Sequence, residues 1–329
     1  MKILIIRFSS IGDLTQSLSI PTHIHSKYPQ AEIHFLTKHQ FIDLTKNHPH
    51  IHKTWTLPEK NNLITIFKKA LEINLEKFDR VYDAHNNLRS NVFYFLISAQ
   101  LKLQKPMQRF KRFLLINFKI NKFDTPFSGQ RDLLIPLLKW GIPFSIPPGP
   151  QLFIDSEIIQ KINFLKISLK IPLNYIIVAP SAAHEFKRWP VEKWIELFDL
   201  NPSQMFVILA GLNDTFTSVF NIQKNVINLT GKTTLLESAA LIQSATKIIS
   251  NDTGLLHFAE QLNKPTIALM GAAPFGFPSR ITTVILKKDL PCWPCSKHGQ
   301  GPCVNKIYHQ CMNDITASEV SDLMKKLDL

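Results

Sequence analysis

The sequence predicts two α/β domains, each built on a parallel β-sheet that carries helices on both faces. Its 329 residues suit two domains, since domains commonly hold about 150 residues. Strand-like and helix-like hydrophobic periods alternate along both halves, which is the pattern of parallel strands joined by helical crossovers. A proline-rich segment separates the two series.

The first half begins with a continuous apolar run at residues 2–8, which is typical of a buried parallel strand. Further strands are predicted at residues 31–37, 53–57 and 78–82. Helices are predicted at residues 13–28, 39–47, 63–75 and 91–101.

The second half repeats this alternation. Strands are predicted at residues 174–179, 205–210, 247–250 and 266–270. Helices are predicted at residues 191–200, 234–244 and 255–262. A last helix is predicted at residues 316–327, with Thr316 at its N-cap and Glu319 three residues later.

The segment 141–150 contains four prolines and continues neither period, so it is predicted to be a linker. This divides the chain into an N-terminal domain of residues 1–150 and a C-terminal domain of residues 151–329.

The composition is that of a packed globular protein, with 45% hydrophobic and 19% charged residues. No apolar run reaches the length of about 18 residues that spans a bilayer. The apolar stretch at residues 3–6 is too short for a signal peptide. We therefore expect a cytoplasmic protein.

The net charge of +13 predicts attraction to anionic partners. Part of this charge lies in residues 102–123, where cations alternate with apolar side chains and no acid occurs before residue 124. Two interpretations fit this segment. One is contact with an anionic membrane surface, and the other is a surface helix with a solvated basic face and a core-facing apolar one.

Ligands of parallel sheets bind where strands end and helices begin. The first such junction is Ser9-Ser10-Ile11-Gly12-Asp13, which combines hydroxyls and a glycine with an acid. Asp13 is either a helix-start carboxylate favoured by the helix dipole or a general base beside a ligand. No dinucleotide fingerprint or phosphate loop of the usual types is present.

Two further junctions lie in the second half. Ser181 and the following small residues precede Lys187, which is either a solvated surface charge or a partner for a diphosphate. After the strand at 247–250 come Asp252, Thr253 and Gly254, which form either a plain N-cap or a phosphate-binding helix start. His257 follows on that helix, as a ligand contact or a satisfied half-buried histidine.

These residues resemble the bacterial heptosyltransferases, family 9 of the glycosyltransferases, along nearly the whole chain. The resemblance begins with residues 1–16 and continues in the stretch 83–90, which is similar to the family's acceptor-domain segment. It includes 180–190, similar to the family's phosphate segment. It ends with Ser250-Asn251-Asp252-Thr253-Gly254-Leu255-Leu256-His257, which resembles its nucleotide loop, and with the following residues up to Gly271.

The resemblance implies a GT-B fold, in which two Rossmann-like domains face one cleft, with a final helix that packs back towards the N-terminal domain. It implies inverting transfer of heptose from ADP-heptose to the lipid A–Kdo inner core of lipopolysaccharide without a catalytic metal or other cofactor. Asp13 would then be the general base, and Lys187 would stabilise the departing diphosphate. The expected donor-binding residues are Ser9, Ser10, Gly12, Ser181, Asp252, Thr253, Gly254 and His257.

The same resemblance places the acceptor on the N-terminal domain. The expected acceptor-binding residues are His85, Arg89, Arg109, Lys111 and Arg112. We further expect a monomer that associates peripherally with the anionic inner membrane and has no nucleic-acid partner. Alternative functions are a family 9 transferase with another sugar nucleotide or surface glycan, and a non-catalytic nucleotide- or polyanion-binding protein.

All four cysteines lie in one segment, with the spacing Cys292-x2-Cys295-x7-Cys303-x7-Cys311. Such a set can supply the four tetrahedral ligands of a structural zinc ion, but the loose spacing of the second pair favours thiols that bind no metal. Disulfides are the less expected alternative in a cytoplasmic protein.

Overall fold

Eleven β-strands form two separate sheets in residues 1–58 and 62–327, the parts of the chain that the computed structural model describes. Every strand pair in both sheets is parallel. The sheets belong to two compact units. The N-terminal unit comprises Met1–Gln108 and Gly129–Phe153, and the C-terminal unit comprises Arg109–Ser128 and Ile154–Leu329.

The N-terminal sheet has five strands in the order β3-β2-β1-β4-β5. They are β1 (Lys2–Ile6), β2 (Glu32–Thr37), β3 (Lys53–Thr56), β4 (Arg80–Asp83) and β5 (Leu101–Gln104). The central strand β1 is inaccessible to solvent from Ile3 to Ile6, as its unbroken apolar run predicts for a strand covered on both faces. The helices up to residue 153 are α1 (Ile11–Ser17), α2 (Ser19–Lys27), α3 (Ile42–Lys46), α4 (Leu63–Asn74), α5 (Leu88–Leu96), α6 (Arg109–Phe118) and α7 (Gly129–Leu134), of which α6 belongs to the C-terminal unit.

Two predicted helices of this unit differ in extent from the observed ones. The helix predicted at 13–28 is divided at Leu18, because Pro21 has no N–H to donate to the carbonyl of Ser17. The helix predicted at 91–101 starts earlier, at an Asn87 cap that accepts from Ser90 N, and ends at Leu96. Its last predicted residue instead begins β5, a four-residue strand in which only Leu103 is buried.

The C-terminal sheet has six strands in the order β11-β10-β9-β6-β7-β8. They are β6 (Tyr175–Ala179), β7 (Met205–Ile208), β8 (Val226–Asn228), β9 (Lys247–Asn251), β10 (Thr266–Leu269) and β11 (Thr283–Leu286). The remaining helices are α8 (Ser156–Ser168), α9 (Val191–Leu200), α10 (Leu235–Ser244), α11 (Gly254–Gln261), α12 (Gln310–Asn313) and α13 (Ala317–Lys326). Four of these elements, α8, α12, β8 and β11, were not predicted from the sequence.

The final helix, α13, has the predicted cap, since Thr316 Oγ1 accepts from Glu319 N at 3.1 Å. Its apolar face, however, belongs to the C-terminal unit. Val320 and Met324 lie in one core cluster with Trp189 and Trp194, and Lys247 Nζ donates to the carbonyl of Met324 at the helix end. The buried face of this helix is thus part of the core of its own unit, and its packing towards the N-terminal domain stays a prediction.

The segment 109–128 leaves the N-terminal unit and packs on the C-terminal one, although the sequence analysis divided the chain at residue 150. Aromatic side chains hold it there: Phe127 contacts the rings of Phe275, Phe277 and Trp293 at centroid distances of 5.9–6.2 Å. Lys119 Nζ also donates to the carbonyl of Pro294 at 2.6 Å. This apolar packing accounts for the assignment of α6 to the C-terminal unit.

None of the helices in the described residues has the length and apolar character that crossing a membrane requires.

Candidate active site

In the N-terminal unit the predicted site residues follow the ends of two neighbouring strands. Ile6 of β1 pairs with Asp83 of β4, so the chain leaves both strands side by side. Arg7, the next residue, is buried and donates from one guanidinium nitrogen to the carbonyl of Ala84 at 2.6 Å. Its other terminal nitrogen lies 2.8 Å from Asp13 Oδ2.

Asp13 occupies the first turn of α1, where it accepts hydrogen bonds from Ser10 N at 3.3 Å and Ser10 Oγ at 3.0 Å. Partial burial favours a higher pKa, but the charges of Arg7 and Lys105 and the Ser10 bonds hold the pKa of Asp13 well below its usual range. The side chain is 42% exposed. Asp13 is therefore a fixed, ionised carboxylate that remains open to a ligand.

His85 lies beside this carboxylate, with its ring 5.5 Å from that of Phe8. Burial, together with the charge of Arg7, lowers the pKa of His85 to about 4, so the imidazole is neutral at physiological pH. The backbone before it is held by Asp83, whose Oδ1 accepts from the N–H groups of His85 and Asn86. A neutral histidine and an ionised aspartate thus share one strand edge.

In the C-terminal unit three strand ends meet. Ala179 of β6 pairs with Ser250 of β9, and Asn251 of β9 pairs with Leu269 of β10. The buried side chain of Asn251 joins the loops that follow, since it donates to the carbonyl of Pro180 at 2.6 Å and accepts from Trp189 N at 3.1 Å. The phosphate-type loops predicted in this half are therefore neighbours.

The structure brings Lys187 and Asp252 into direct contact, with Lys187 Nζ 2.6 Å from Asp252 Oδ2. Their side chains are only 14% and 9% exposed, so Lys187 is not a solvated surface charge. Helix α11 begins two residues later, and its N-cap Thr253 makes no side-chain capping hydrogen bond. The helix start and the ammonium group together suit an anion.

His257 lies on α11 and is 4% exposed. Its Nδ1 is 3.1 Å from Glu260 Oε2, and Glu260 is fully buried. Glu260 also accepts from Ser279 N through its other oxygen. The carboxylate therefore orients the imidazole ring within the helix.

The sequence model of glycosyltransferase family 9 (heptosyltransferase) matches residues 66–301. The chain belongs to this family. It is therefore a glycosyltransferase, of the family described as heptosyltransferase, and the recognition made from its motifs is confirmed.

Individual relatives agree with this assignment. The chain is 26% identical to lipooligosaccharide heptosyltransferase 2 of Haemophilus ducreyi, and the match covers 99% of each protein. Among solved structures, it is similar to the family 9 glycosyltransferase of Veillonella parvula, with a TM-score of 0.81, 19% identity and coverage of 99% and 96%. The E. coli ADP-heptose LPS heptosyltransferase II has a TM-score of 0.75, 22% identity and coverage of 99% and 98%. These structures confirm the predicted GT-B class of two parallel-sheet domains.

The remaining predicted donor residues of the transferase divide between the units. Ser9, Ser10 and Gly12 lie with Asp13 in the N-terminal unit, and the Ser10 hydroxyl donates to Asp13. Ser181 follows β6 in the C-terminal unit and is half-buried.

The predicted acceptor residues are also divided. His85 and the exposed Arg89 lie in the N-terminal unit, whereas Arg109, Lys111 and Arg112 lie on α6 in the C-terminal unit. The last three were expected on the N-terminal domain, and the aromatic packing of segment 109–128 corrects that placement.

Three residues that interact with the predicted site residues were missed at the level of sequence. Arg7 pairs with Asp13, Lys105 adds a second positive charge near it, and Glu260 orients His257. A signal existed for Arg7, because an arginine at the end of an apolar strand needs a partner when it is buried. Glu260 stands three residues after His257 and could have been found from helical spacing.

Proposed function

We propose that the chain transfers a heptose from ADP-heptose to the lipid A–Kdo inner core of lipopolysaccharide, with inversion at the anomeric carbon. The observation that carries this proposal is the exposed Asp13 carboxylate, fixed by Arg7 at the end of β1. The names of the relatives support the sugar and the acceptor, since they are lipooligosaccharide and ADP-heptose LPS heptosyltransferases.

In the proposed reaction, an acceptor hydroxyl bound to the N-terminal unit attacks the anomeric carbon of the donor. Its proton passes to Asp13, while the bond from that carbon to the ADP oxygen breaks and its electron pair leaves with the diphosphate. A single displacement of this kind inverts the anomeric centre. The lowered pKa of Asp13 keeps the base ionised. A weak base suffices because the hydroxyl becomes acidic as its oxygen bonds to carbon.

The C-terminal unit is proposed to bind the ADP part of the donor. Lys187 and the N-terminus of α11 would neutralise the charge that develops on the departing diphosphate. Asp252 holds the ammonium group in position before the donor binds. A fixed cation at this position supplies the stabilisation that a divalent ion gives in other transferases, so we propose that catalysis needs no metal.

We further propose that the enzyme contacts the anionic membrane that presents its acceptor. Helix α6 and the residues just after it leave several apolar side chains exposed, among them Phe110, Phe113, Phe118 and Ile120. The cations Arg109 and Lys111 are exposed on the same helix. Exposed aromatic groups beside cations suit the interface of an anionic bilayer.

A donor screen tests the proposed substrate. The purified enzyme is incubated with deacylated inner core and with ADP-heptose, ADP-glucose or UDP-sugars, and products are detected by mass spectrometry. We expect a heptose-sized mass increase with ADP-heptose alone, an inverted anomeric configuration by NMR, and an equal rate with and without added Mg²⁺. Transfer of another sugar in preference to heptose would refute the donor assignment.

A further inference from the structure

The four cysteines of the chain surround one small cavity in the C-terminal unit. Cys292, Cys295, Cys303 and Cys311 all line it, all four are free thiols, and each is half-buried. The cavity measures about 10 Å³, which is about the room that one water-sized particle occupies. Residues separated by up to 19 positions in sequence thus line one cavity.

Two polar groups beside the cavity suit metal-bound thiolates. Cys303 Sγ accepts a hydrogen bond from His309 N at 3.3 Å, the kind of contact that orients a metal-bound sulfur. Lys119 Nζ donates to the carbonyl of Pro294 at 2.6 Å, so its positive charge lies next to Cys295 in the chain. A cluster of four thiolates around a divalent ion carries a net charge of −2, for which Lys119 is the counter-charge.

We propose that Cys292, Cys295, Cys303 and Cys311 bind one thiophilic divalent cation as a structural site. Four thiolates in tetrahedral arrangement select zinc or iron over the harder magnesium and calcium ions. Binding replaces the four S–H protons, which are released to solvent. Among the described residues no three of these sulfurs lie within 4.8 Å of one another, so the proposed binding requires the sulfurs to move closer together. Gly299 and Gly301, both at positive φ, give the connecting loop the freedom to close.

The site has a consequence for the residues around Lys187, because the cysteine segment packs directly on them. Tyr308 Oη donates to Glu185 Oε1 at 2.9 Å, and the ring of His309 contacts that of Phe186 at 5.6 Å. A Cβ added at Gly299 would lie 2.7 Å from Lys187 Cγ, so the loop backbone touches this side chain. The bound ion would therefore hold Lys187 in place.

Metal analysis of the full-length protein tests the site. The chain is expressed without a metal-affinity tag in medium containing zinc and iron, purified under reducing conditions and analysed by plasma mass spectrometry. We expect about one ion per chain, and the element found identifies it as zinc or iron. Cys303→Ser should lose the ion, whereas Ser296→Ala, which removes a hydroxyl that accepts from three backbone N–H groups of the same loop, should retain it.

Cobalt provides a readout that does not depend on the folding of a variant. Wild-type protein stripped of its ion and reconstituted with Co²⁺ should show the sulfur-to-cobalt charge-transfer band and visible bands of a tetrahedral thiolate site. Folded wild-type protein without metal and with four thiols open to titration would overturn the proposal. Two disulfides formed under reducing purification would overturn it as well.

The positioning role rests on the proposed binding of ADP beside Lys187, and it is measured separately. Removal of the ion should weaken ADP binding about tenfold or more in calorimetry, and restoring the ion should recover the affinity. If the ion is present and ADP binds equally well without it, the site is structural but does not position Lys187. If ADP does not bind the metal-loaded enzyme at all, the proposed function fails while the metal site stands.

Discussion

At the scale of single residues, Asp13 has two properties, and its position in the sequence predicts only the first. It is a helix-start carboxylate bonded to Ser10, and it is also paired with the buried Arg7. The first property holds the side chain in one place, and the second keeps it ionised. A base that must meet a substrate hydroxyl benefits from both.

Replacing Arg7 tests the electrostatic part of this account. Wild-type Asp13 has a lowered pKa, so its carboxylate remains charged, and kcat/KM should stay level as the pH falls until it is below the usual range of aspartate. In Arg7→Met the pKa of Asp13 rises, so activity should be lost at higher pH as the solution is acidified. The measurement is kcat/KM against pH.

Arg7→Lys is the matched control, because it keeps the positive charge. The pH below which kcat/KM falls should therefore stay as low as in the wild type. Both variants lose the hydrogen-bond pattern of arginine, but only Arg7→Met loses the charge. A loss of stability common to both variants is thereby distinguished from the pH effect. If kcat/KM falls at the same pH in wild type and in Arg7→Met, Arg7 does not set the charge of Asp13.

At the scale of loops and elements, the residues that follow β10 fix how close the Lys187 loop approaches the sheet. A Cβ added at Gly271 would lie 2.7 Å from the carbonyl oxygen of Phe186 and 2.8 Å from Met312 Sδ. Gly271→Ala should therefore lower the free energy of unfolding by about 1–3 kcal/mol and weaken ADP binding. Chemical denaturation and calorimetry measure the two effects.

Gly211→Ala serves as its control. A Cβ there would meet a single neighbour within 4 Å, the side-chain oxygen Asp214 Oδ2 at 3.1 Å. We expect a smaller change in the free energy of unfolding than for Gly271→Ala. Equal effects of the two substitutions would contradict the argument from close packing.

Helix α6 supplies the test of membrane contact. Phe110→Ser with Phe113→Ser should weaken binding to vesicles of anionic lipid about tenfold or more, since burying each ring contributes roughly 1.5–3 kcal/mol. Wild-type binding should also decrease as salt is added. Sedimentation with vesicles of phosphatidylglycerol and phosphatidylethanolamine measures the bound fraction.

Phe164→Ser is the matched control, because Phe164 of α8 is 74% exposed but does not belong to the basic segment. It should leave vesicle binding unchanged. If Phe164→Ser and the α6 variant weaken binding equally, or neither does, α6 is not the contact.

Much of the element pattern followed from hydrophobic periodicity, and the failures have identifiable causes. Strands β1 and β6 contain unbroken apolar runs and lie inside their sheets, so they were found. Strands β5, β8 and β11 hold three or four residues, of which at most one is buried, so each carries at most a short apolar run and no clear alternation. Segment 109–128 was misplaced because its unit is decided by contacts of Phe127 with rings about 150 residues later in the chain.

At the scale of the whole molecule, the sequence indicated which polar residues lie at strand ends, but not which of them contact each other. Lys187 and Asp252 are 65 residues apart, and only the register of β6 with β9 brings their loops together. The same limit applies to Arg7 and Ala84, which meet because β1 pairs with β4. Sheet order is a property of tertiary packing, which local patterns do not contain.

The net charge of +13 acts over the whole chain and matches the proposed substrates, which are a nucleotide diphosphate and a phosphorylated lipid. The proposal assigns one of them to each unit, with the diphosphate beside Lys187 and the acceptor beside Asp13. A substitution at Asp13 should therefore reduce catalysis and leave ADP binding largely unchanged.

The most direct test is the rate of heptose transfer from ADP-heptose to the deacylated inner core by Asp13→Asn, measured beside its affinity for ADP. Asparagine keeps the size of the side chain but cannot take up the proton. The account predicts a decrease in kcat of about 10²–10⁴-fold with an ADP affinity close to that of wild type. Wild-type turnover in Asp13→Asn would contradict the assignment of Asp13 as the base on which the proposed mechanism depends.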